Sequence, residues 1–268
     1  MIKIHHHEDV VCAEGIVQMG ERNSSVYVFF VDGLLVDTGP QSLENDLISF
    51  YQSIDFDSVV LTHSHEDHVG TASWIEKNRN VPIFIHASGV DFCSQPADYP
   101  KYRQIRWGIR KEFTAQPLGQ SIQSQSHTWK VIYTPGHASD HVALLNENTG
   151  ILFSGDLFLT PKTKVIMRDE SVPVIMNSIR SVLSYDFQTM FCSHAGYIAD
   201  GKTMLKIKLD DLENLSGDIM HLHKLGLSLT EIDKQLFPKK YPIVLASEGE
   251  FDSLHIVRSV IGNQENDW

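Results

Sequence analysis

Cysteine is scarce in this chain: Cys12, Cys93 and Cys192 are the only three among 268 residues. An odd number with no C-x-x-C pair offers neither a disulfide framework nor a thiolate zinc site, and the thiols read as small buried hydrophobes. Long apolar runs are also missing. The opening Met1-Ile2-Lys3-Ile4-His5-His6-His7 lacks the apolar stretch of a secretion signal, and no later segment approaches a membrane span, so the expectation is a cytoplasmic protein without a membrane partner. His5, His6 and His7 read as surface residues or a tag remnant and receive no role. Positive charge is in deficit, with 22 Lys and Arg against 34 Asp and Glu and a formal net charge of −12. That balance opposes attraction to polyphosphates and argues against a nucleic-acid partner, without forbidding a local basic patch. No internal repeat is visible.

What is present is enough apolar residue, 42%, for a sizeable core in one large domain or one domain with a small appendage. β-rich runs at 10–19, 25–31 and 34–37, the last two joined by a turn at Asp32-Gly33, precede a helical pattern at 42–51 and a strand at 58–61. A helix at 71–77 and a strand at 81–85 continue the alternation. Pro96, Pro100 and Pro117 then break the rhythm between about 92 and 119, which reads as an insertion. Strands resume at 129–133, 141–145 and 150–154, followed by a helix at 174–183 and a strand at 189–192. Everything after Asp200 is helical in pattern. Ser228-Leu229-Thr230-Glu231 and Ser247-Glu248-Gly249-Glu250 both spell capping boxes, predicting helix starts just after Ser228 and Ser247, separated by Pro238 and Pro242. Periodicity alone gives a mixed α/β class.

The strand at 58–61 runs straight into Thr62-His63-Ser64-His65-Glu66-Asp67-His68. On a strand-to-helix turn, an H-x-H-x-D-H spacing lets alternate side chains converge while Ser64 and Glu66 turn away, and imidazole and carboxylate are the donors that borderline divalent metals take. Other short motifs lie on either side: Val36-Asp37-Thr38-Gly39 before it, then Thr134-Pro135-Gly136-His137, Phe153-Ser154-Gly155-Asp156-Leu157-Phe158 and Cys192-Ser193-His194-Ala195-Gly196.

In content and order these five motifs resemble the signature of the metallo-β-lactamase superfamily. The resemblance implies a four-layer αββα sandwich, in class terms α/β (α+β), over residues 1–200, with residues 201–268 as a helical C-terminal extension packed on it. It implies that His63, His65 and His137 bind one metal, that Asp67, His68 and His194 bind a second, and that Asp156 bridges both. The expected cofactors are two divalent ions, zinc first, with iron or manganese served by the same donors. A shared hydroxide would complete both shells and attack a polarised carbonyl or phosphoryl group, with Asp67 as the catalytic residue that orients the nucleophile or shuttles its proton. Asp37 would tie down a ligand loop; its alternative is a turn residue capping backbone amides. His141 and His86 read as core or rim histidines.

Departures from the branches of the family narrow the expectation. Main-subclass β-lactamases carry Arg and Cys where this chain has His68 and Asp156, so antibiotic hydrolysis is not expected. Flavodiiron reductases have Glu in place of His65 and a further flavodoxin domain. Glyoxalase II-like thioesterases follow the bridging Asp with a glycine-rich C-G-R segment, whereas Asp156 here precedes Leu157-Phe158-Leu159-Thr160-Pro161-Lys162. Lactonases of the N-acyl-homoserine type place Tyr where this chain has Leu159; Tyr99, Tyr102 and Tyr197 are the substitutes on offer. Within the insertion, Arg103, Arg106 or Trp107, and Arg110 share one face if the segment is helical. They would recognise an anionic substrate group, or RNA phosphates with Trp107 stacking, or else form a solvated face or protomer contact in a homodimer. The expected activity is hydrolysis of a small-molecule ester, thioester or lactone. The alternatives are a phosphodiesterase or endoribonuclease, and a non-catalytic metal-binding effector.

Overall fold

In the computed structural model, alternate residues along single strands face different apolar layers, and this fixes the architecture. Residues 1–19 and 22–262 are described, Met19 and Arg22 by backbone alone. The first sheet runs in the order β1 (Ile2–His7), β2 (Val10–Met19), β3 (Arg22–Val31), β4 (Leu34–Val36), β5 (Ser58–Val60), β6 (Ile83–Ile85), β7 (Gln116–Pro117). The second contains β8 (Ser121–Gln123), β9 (Thr128–Tyr133), β10 (Val142–Asn146), β11 (Ile151–Gly155), β13 (Thr189–Cys192) and β14 (Gly196–Ile198), ordered β14-β13-β11-β10-β9-β8. A short pair joins β12 (Ile166–Met167) to β15 (Phe251–Asp252).

Phe29, Val31, Leu34, Val36 and Val60 from the first sheet meet Trp129, Leu144, Phe153 and Phe191 from the second in a core between the sheets. Their sequence neighbours Val28, Leu35 and Val59 face outward against α1 (Glu44–Ser53) and α3 (Ala72–Asn78). On the other side Ala143, Leu145 and Leu152 face α6 (Val172–Leu183) and the C-terminal helices α7 (Gly201–Lys224), α8 (Leu229–Leu236) and α10 (Ser253–Gly262). The layers are therefore α, β, β, α, as expected, with the helical C-terminal segment against the second sheet. Among the described residues no helix is long and apolar enough to cross a membrane.

Most elements lie where the pattern predicts, and the Asp32-Gly33 turn takes positive φ at both residues (48° and 78°), the requirement of a tight hairpin. Two expectations fail, and one strand lies where none was predicted. The histidine triplet belongs to β1, an edge strand paired with β2, in which His5 Nε2 lies 2.9 Å from Glu14. Ser228 does form a capping box, but Ser247 ends a helix instead of starting one. It closes α9 (Pro242–Ala246), its hydroxyl accepts a 3.0 Å bond from the Phe251 amide, and Gly249 at φ 79° turns the chain into β15. The insertion contains α4 (Val90–Ser94, its end) and α5 (Lys101–Trp107), and α5 stops at Gly108, φ 85°. Arg110 consequently does not share a face with Arg103 and Arg106.

Candidate metal centre

The motif residues meet because each follows the C-terminal end of a strand. Asp37 leaves β4, the run from His63 to His68 leaves β5, His137 follows β9, Asp156 follows β11 and His194 follows β13. Cross-links between the sheets fix the loops: Val142 N donates to Thr62 O at 2.8 Å and Tyr27 N to Ser193 O at 2.8 Å. Gly136 has φ 126°, and a Cβ there would lie 2.6 Å from the Ile175 amide, so only glycine delivers His137. His65 sits at the N-terminus of the single turn α2 (Glu66–Val69), which carries Asp67 and His68.

Three groups of donors result: His63, His65 and His137; His63, His68 and Asp156; Asp67, His68 and His194. Within each, the ligand atoms lie within 4.8 Å of one another, so each group could hold a metal ion. His65 Nδ1 is 3.0 Å from both His63 Nε2 and His137 Nε2. His194 Nε2 lies 3.3 Å from Asp67 and 3.2 Å from Asp156, and His137 Nε2 is 3.4 Å from Asp156. Donors about 2.0–2.1 Å from one tetrahedral zinc stand roughly 3.3–3.4 Å apart, which is the spacing found. His68 Nε2 and Asp156 Oδ1 are buried with no hydrogen-bond partner, and a cation between them supplies what each lacks.

The far sides of the imidazoles are held by the protein. His68 Nδ1 is 2.9 Å from Asp37 Oδ2, His194 Nδ1 donates to Ser25 O at 2.8 Å, and His63 Nδ1 is 3.1 Å from Thr62 Oγ1. Fully buried Asp37 also accepts from Thr62 N at 2.7 Å and from Ser193 Oγ at 3.3 Å, so it binds the ligand loops to each other. Glu170 faces His137 Nδ1 at 3.4 Å and was not legible as part of the site. His141 is a core residue: its Nε2 accepts from the Asp156 amide at 2.9 Å, and burial pushes its pKa down to about 3, leaving it a neutral acceptor. His86 lies at the rim, stacked on Tyr133 with centroids 4.5 Å apart.

Burial, reinforced by neighbouring imidazoles, holds His63 and His65 well below the ordinary histidine range, so both present lone pairs. For Asp156, burial pushes the carboxyl up, but His194 and His68 outweigh it and keep the group ionised. Burial likewise opposes charge on His68 and His194, and the buried carboxylates, Asp156 first, push both well above the ordinary range. This pocket of anions calls for positive charge.

Arg103 grips Glu66 with two bonds of 2.7 and 2.6 Å and reaches Glu250 at 3.1 Å; Tyr102 also bonds Glu250. Arg106 bonds Ser24 and lies over Trp107, 4.6 Å from the ring centroid. Glu66, Tyr102, Arg103, Arg106 and Trp107 line a cavity of about 790 Å³ that opens on the donor cluster. Arg110 does not line it: its guanidinium is buried and donates to the carbonyls of Phe92, Cys93 and Gln95, a structural clasp within the insertion. Tyr99 also serves the insertion, donating to Gly108 O at 2.8 Å, and Tyr197 stacks on His7 outside the cavity.

Residues 20–194 match the family model described as Metallo-beta-lactamase superfamily. The probable metallo-hydrolase YybB of Bacillus subtilis (strain 168) is 30% identical over 181 residues, 64% of this chain and 80% of that protein. An atrochrysone carboxyl ACP thioesterase from Aspergillus terreus (strain NIH 2624 / FGSC A1156) is 27% identical over 183 residues, 66% of this chain and 50% of its own length. Among solved structures, the metallo-beta-lactamase family protein TTHA1429 from Thermus thermophilus shares the fold, with a TM-score of 0.69 and 18% identity over 96% of this chain and 94% of that one. With the family match spanning well over half of its length, this chain belongs to the metallo-beta-lactamase superfamily and is one of its metal-binding hydrolases.

Proposed function

We propose that the protein hydrolyses a small acyl ester or thioester at two divalent cations, zinc being the first choice. His63, His65 and His137 would hold one, Asp67, His68 and His194 the other, with Asp156 between them. When bound, such a pair supplies a water ionised near neutral pH and a Lewis acid for the scissile carbonyl. Asp67, whose carboxyl is held below its ordinary range by His68 and His194 against the opposing effect of burial, stays ionised and would orient that water as a hydrogen-bond acceptor. Trp107, Met167 and the loop from Leu159 to Lys164 wall the cavity and restrict water.

The observation that carries this reading is the cavity itself. It has the volume of a small-molecule site, and between the donors and the C-terminal helices its wall is formed by Leu157, Ile166, Val172, Ile175, Leu212 and Phe251. That lining suits an acyl chain. The thioesterase named among the relatives favours a thioester over a lactone, as does Leu159, which has no hydroxyl to assist a lactone carbonyl.

The test is steady-state hydrolysis of thioesters, esters, lactones, phosphodiesters and short RNA by protein of verified metal content, with His68→Ala as control. Acyl hydrolysis lost in the control is the expected result. Cleavage confined to phosphodiesters, or silence with two metals bound, overturns the reading, the latter in favour of a non-catalytic effector.

A further inference from the structure

α7 presents Gly201, Leu205, Lys208, Leu212 and Ile219 as its buried face, an apolar stripe at helical spacing interrupted by one lysine. Lys208 is only 5% exposed, and it lines the cavity beside Leu212, Ile175 and Val172. Its ammonium donates to one protein atom, the carbonyl of Phe158, two residues beyond Asp156. Among the described residues no carboxylate forms an ion pair with it, and Glu170, Asp156 and Asp211 act on its charge only from farther away. The buried carboxylates around the cavity each face a basic group: Glu66 has Arg103, Glu170 has His137, and Asp67 and Asp156 have the histidines; among the described lining cations Arg106 also has no ion pair, but its guanidinium is held by Ser24 and stacked on Trp107.

An ammonium held in an apolar wall with no carboxylate in contact is an expensive feature unless a ligand supplies the anion. A lysine whose duty was to hold the Phe158 carbonyl would need no charge and no place on the cavity surface. We infer that Lys208 is the anion-binding end of the cavity, and that the acyl part of the substrate carries a carboxylate separated from its scissile carbonyl by a short apolar stretch. This rests on the acyl-hydrolase reading of the site and names its substrate class: monoesters or monothioesters of short dicarboxylic acids. Lys208 is then a specificity residue that sorts substrates by their far end and leaves the carbonyl to the metal centre. Burial holds its pKa down to about 8, so it is still charged at neutral pH and ready to pair.

The experiment compares N-acetylcysteamine thioesters of succinic, glutaric and adipic acids with those of butyric, valeric and caproic acids, on metal-loaded protein. The wild type is expected to prefer the carboxylate-bearing member of one length-matched pair by about tenfold or more in kcat/KM, the weight of one charge-assisted hydrogen bond. Lys208→Met should bring that ratio to near one, while Lys208→Arg keeps a preference. A purely structural lysine would lower both members in proportion and leave the ratio intact; that result, or a wild-type ratio near one, overturns the inference. If neither these thioesters nor the matching esters are hydrolysed, the acyl-hydrolase reading fails by itself, and calorimetric binding of glutarate against butyrate decides the lysine separately. One carboxylate can reach the metals in both acids, so tighter binding of glutarate, lost in Lys208→Met, supports the anion site, and equal binding refutes it.

Discussion

Replacing Lys208 with methionine should make the protein more stable at neutral pH, and the gain should disappear as the pH is raised. The folded state lowers the lysine from 10.5 to about 8 because burial disfavours its charge. At about 1.4 kcal/mol per unit, keeping the ammonium charged in the wall costs about 3 kcal/mol at pH 7. Methionine fills nearly the same volume and removes that term, but it also removes the bond to the Phe158 carbonyl, worth about 1 kcal/mol and somewhat more if the carbonyl finds no other donor. The expected net is a gain of about 1–2 kcal/mol, or about 2–6 °C in a chain of this size. The sign with pH follows from proton counts: between about 8 and 10.5 the unfolded chain holds a lysine proton that the folded chain has released, so wild-type stability rises across that window. The penalty is full below about pH 8 and gone above about 10.5, whereas the variant has no such dependence. Urea unfolding of both proteins, metal-saturated, at several values between pH 7 and 10 reads the difference. Parallel stability profiles for the two proteins would refute the reasoning, since they would mean that the lysine titrates alike in the folded and unfolded chains.

Removing one imidazole donor, as in His65→Ala, should reduce bound metal measured by elemental analysis and lower turnover by about 100-fold or more, since that imidazole joins His63 and His137 at 3.0 Å. Full activity at unchanged stoichiometry would show that His65 is not a ligand. Glu170→Gln should weaken metal binding by about 10–100-fold in competition with a chelator, because the carboxylate that faces His137 Nδ1 at 3.4 Å makes the ring a better donor; an unaltered affinity argues against that role. Arg103→Ala strands Glu66, 2% exposed, without its cation and should destabilise the fold by about 3–5 kcal/mol in denaturant unfolding. A loss below about 1 kcal/mol would mean that water or another cation replaces the guanidinium.

The parts of the structure that could be read in advance are those where one local rule acts without competition. The β5 strand feeding His63, His65, Asp67 and His68 is such a case, because apolar alternation and donor chemistry point to the same turn. The two four-residue spellings after Ser228 and Ser247 show where a local rule fails. Ser228 starts α8 with both reciprocal bonds made, while at Ser247 the glycine two residues on adopts φ 79° and the preceding Pro242 has already begun a helix that ends there. The strand β1 stayed hidden for another reason: polar imidazoles mask an element whose existence depends on backbone pairing with β2, a long-range fact. Arg110 was grouped with Arg103 on the premise of a helix that Gly108 terminates.

A division runs through the site for the same cause. Its candidate metal donors lie at the ends of β5, β9, β11 and β13, where strand pairing leaves little freedom, and so the reaction class is written in short motifs. The substrate wall comes from α5, the loop after Asp156, α6, α7 and β15, brought together only by packing across about 150 residues of chain from Tyr102 to Phe251. Of these only Tyr102, Arg103, Arg106 and Trp107 on α5 and Leu159 after Asp156 stood out in the sequence, and Glu170 carries no signal that would have marked it. Lys208 was not among them, yet a single lysine at i+3 from Leu205 and i+4 before Leu212 breaks an otherwise apolar stripe. A helix that stabilises the fold by burying that stripe has every physical reason to replace the lysine with leucine. Its presence therefore speaks for the ligand rather than for the fold, and a stability gain in Lys208→Met joined to loss of the carboxylate preference would show both halves of that exchange in one variant.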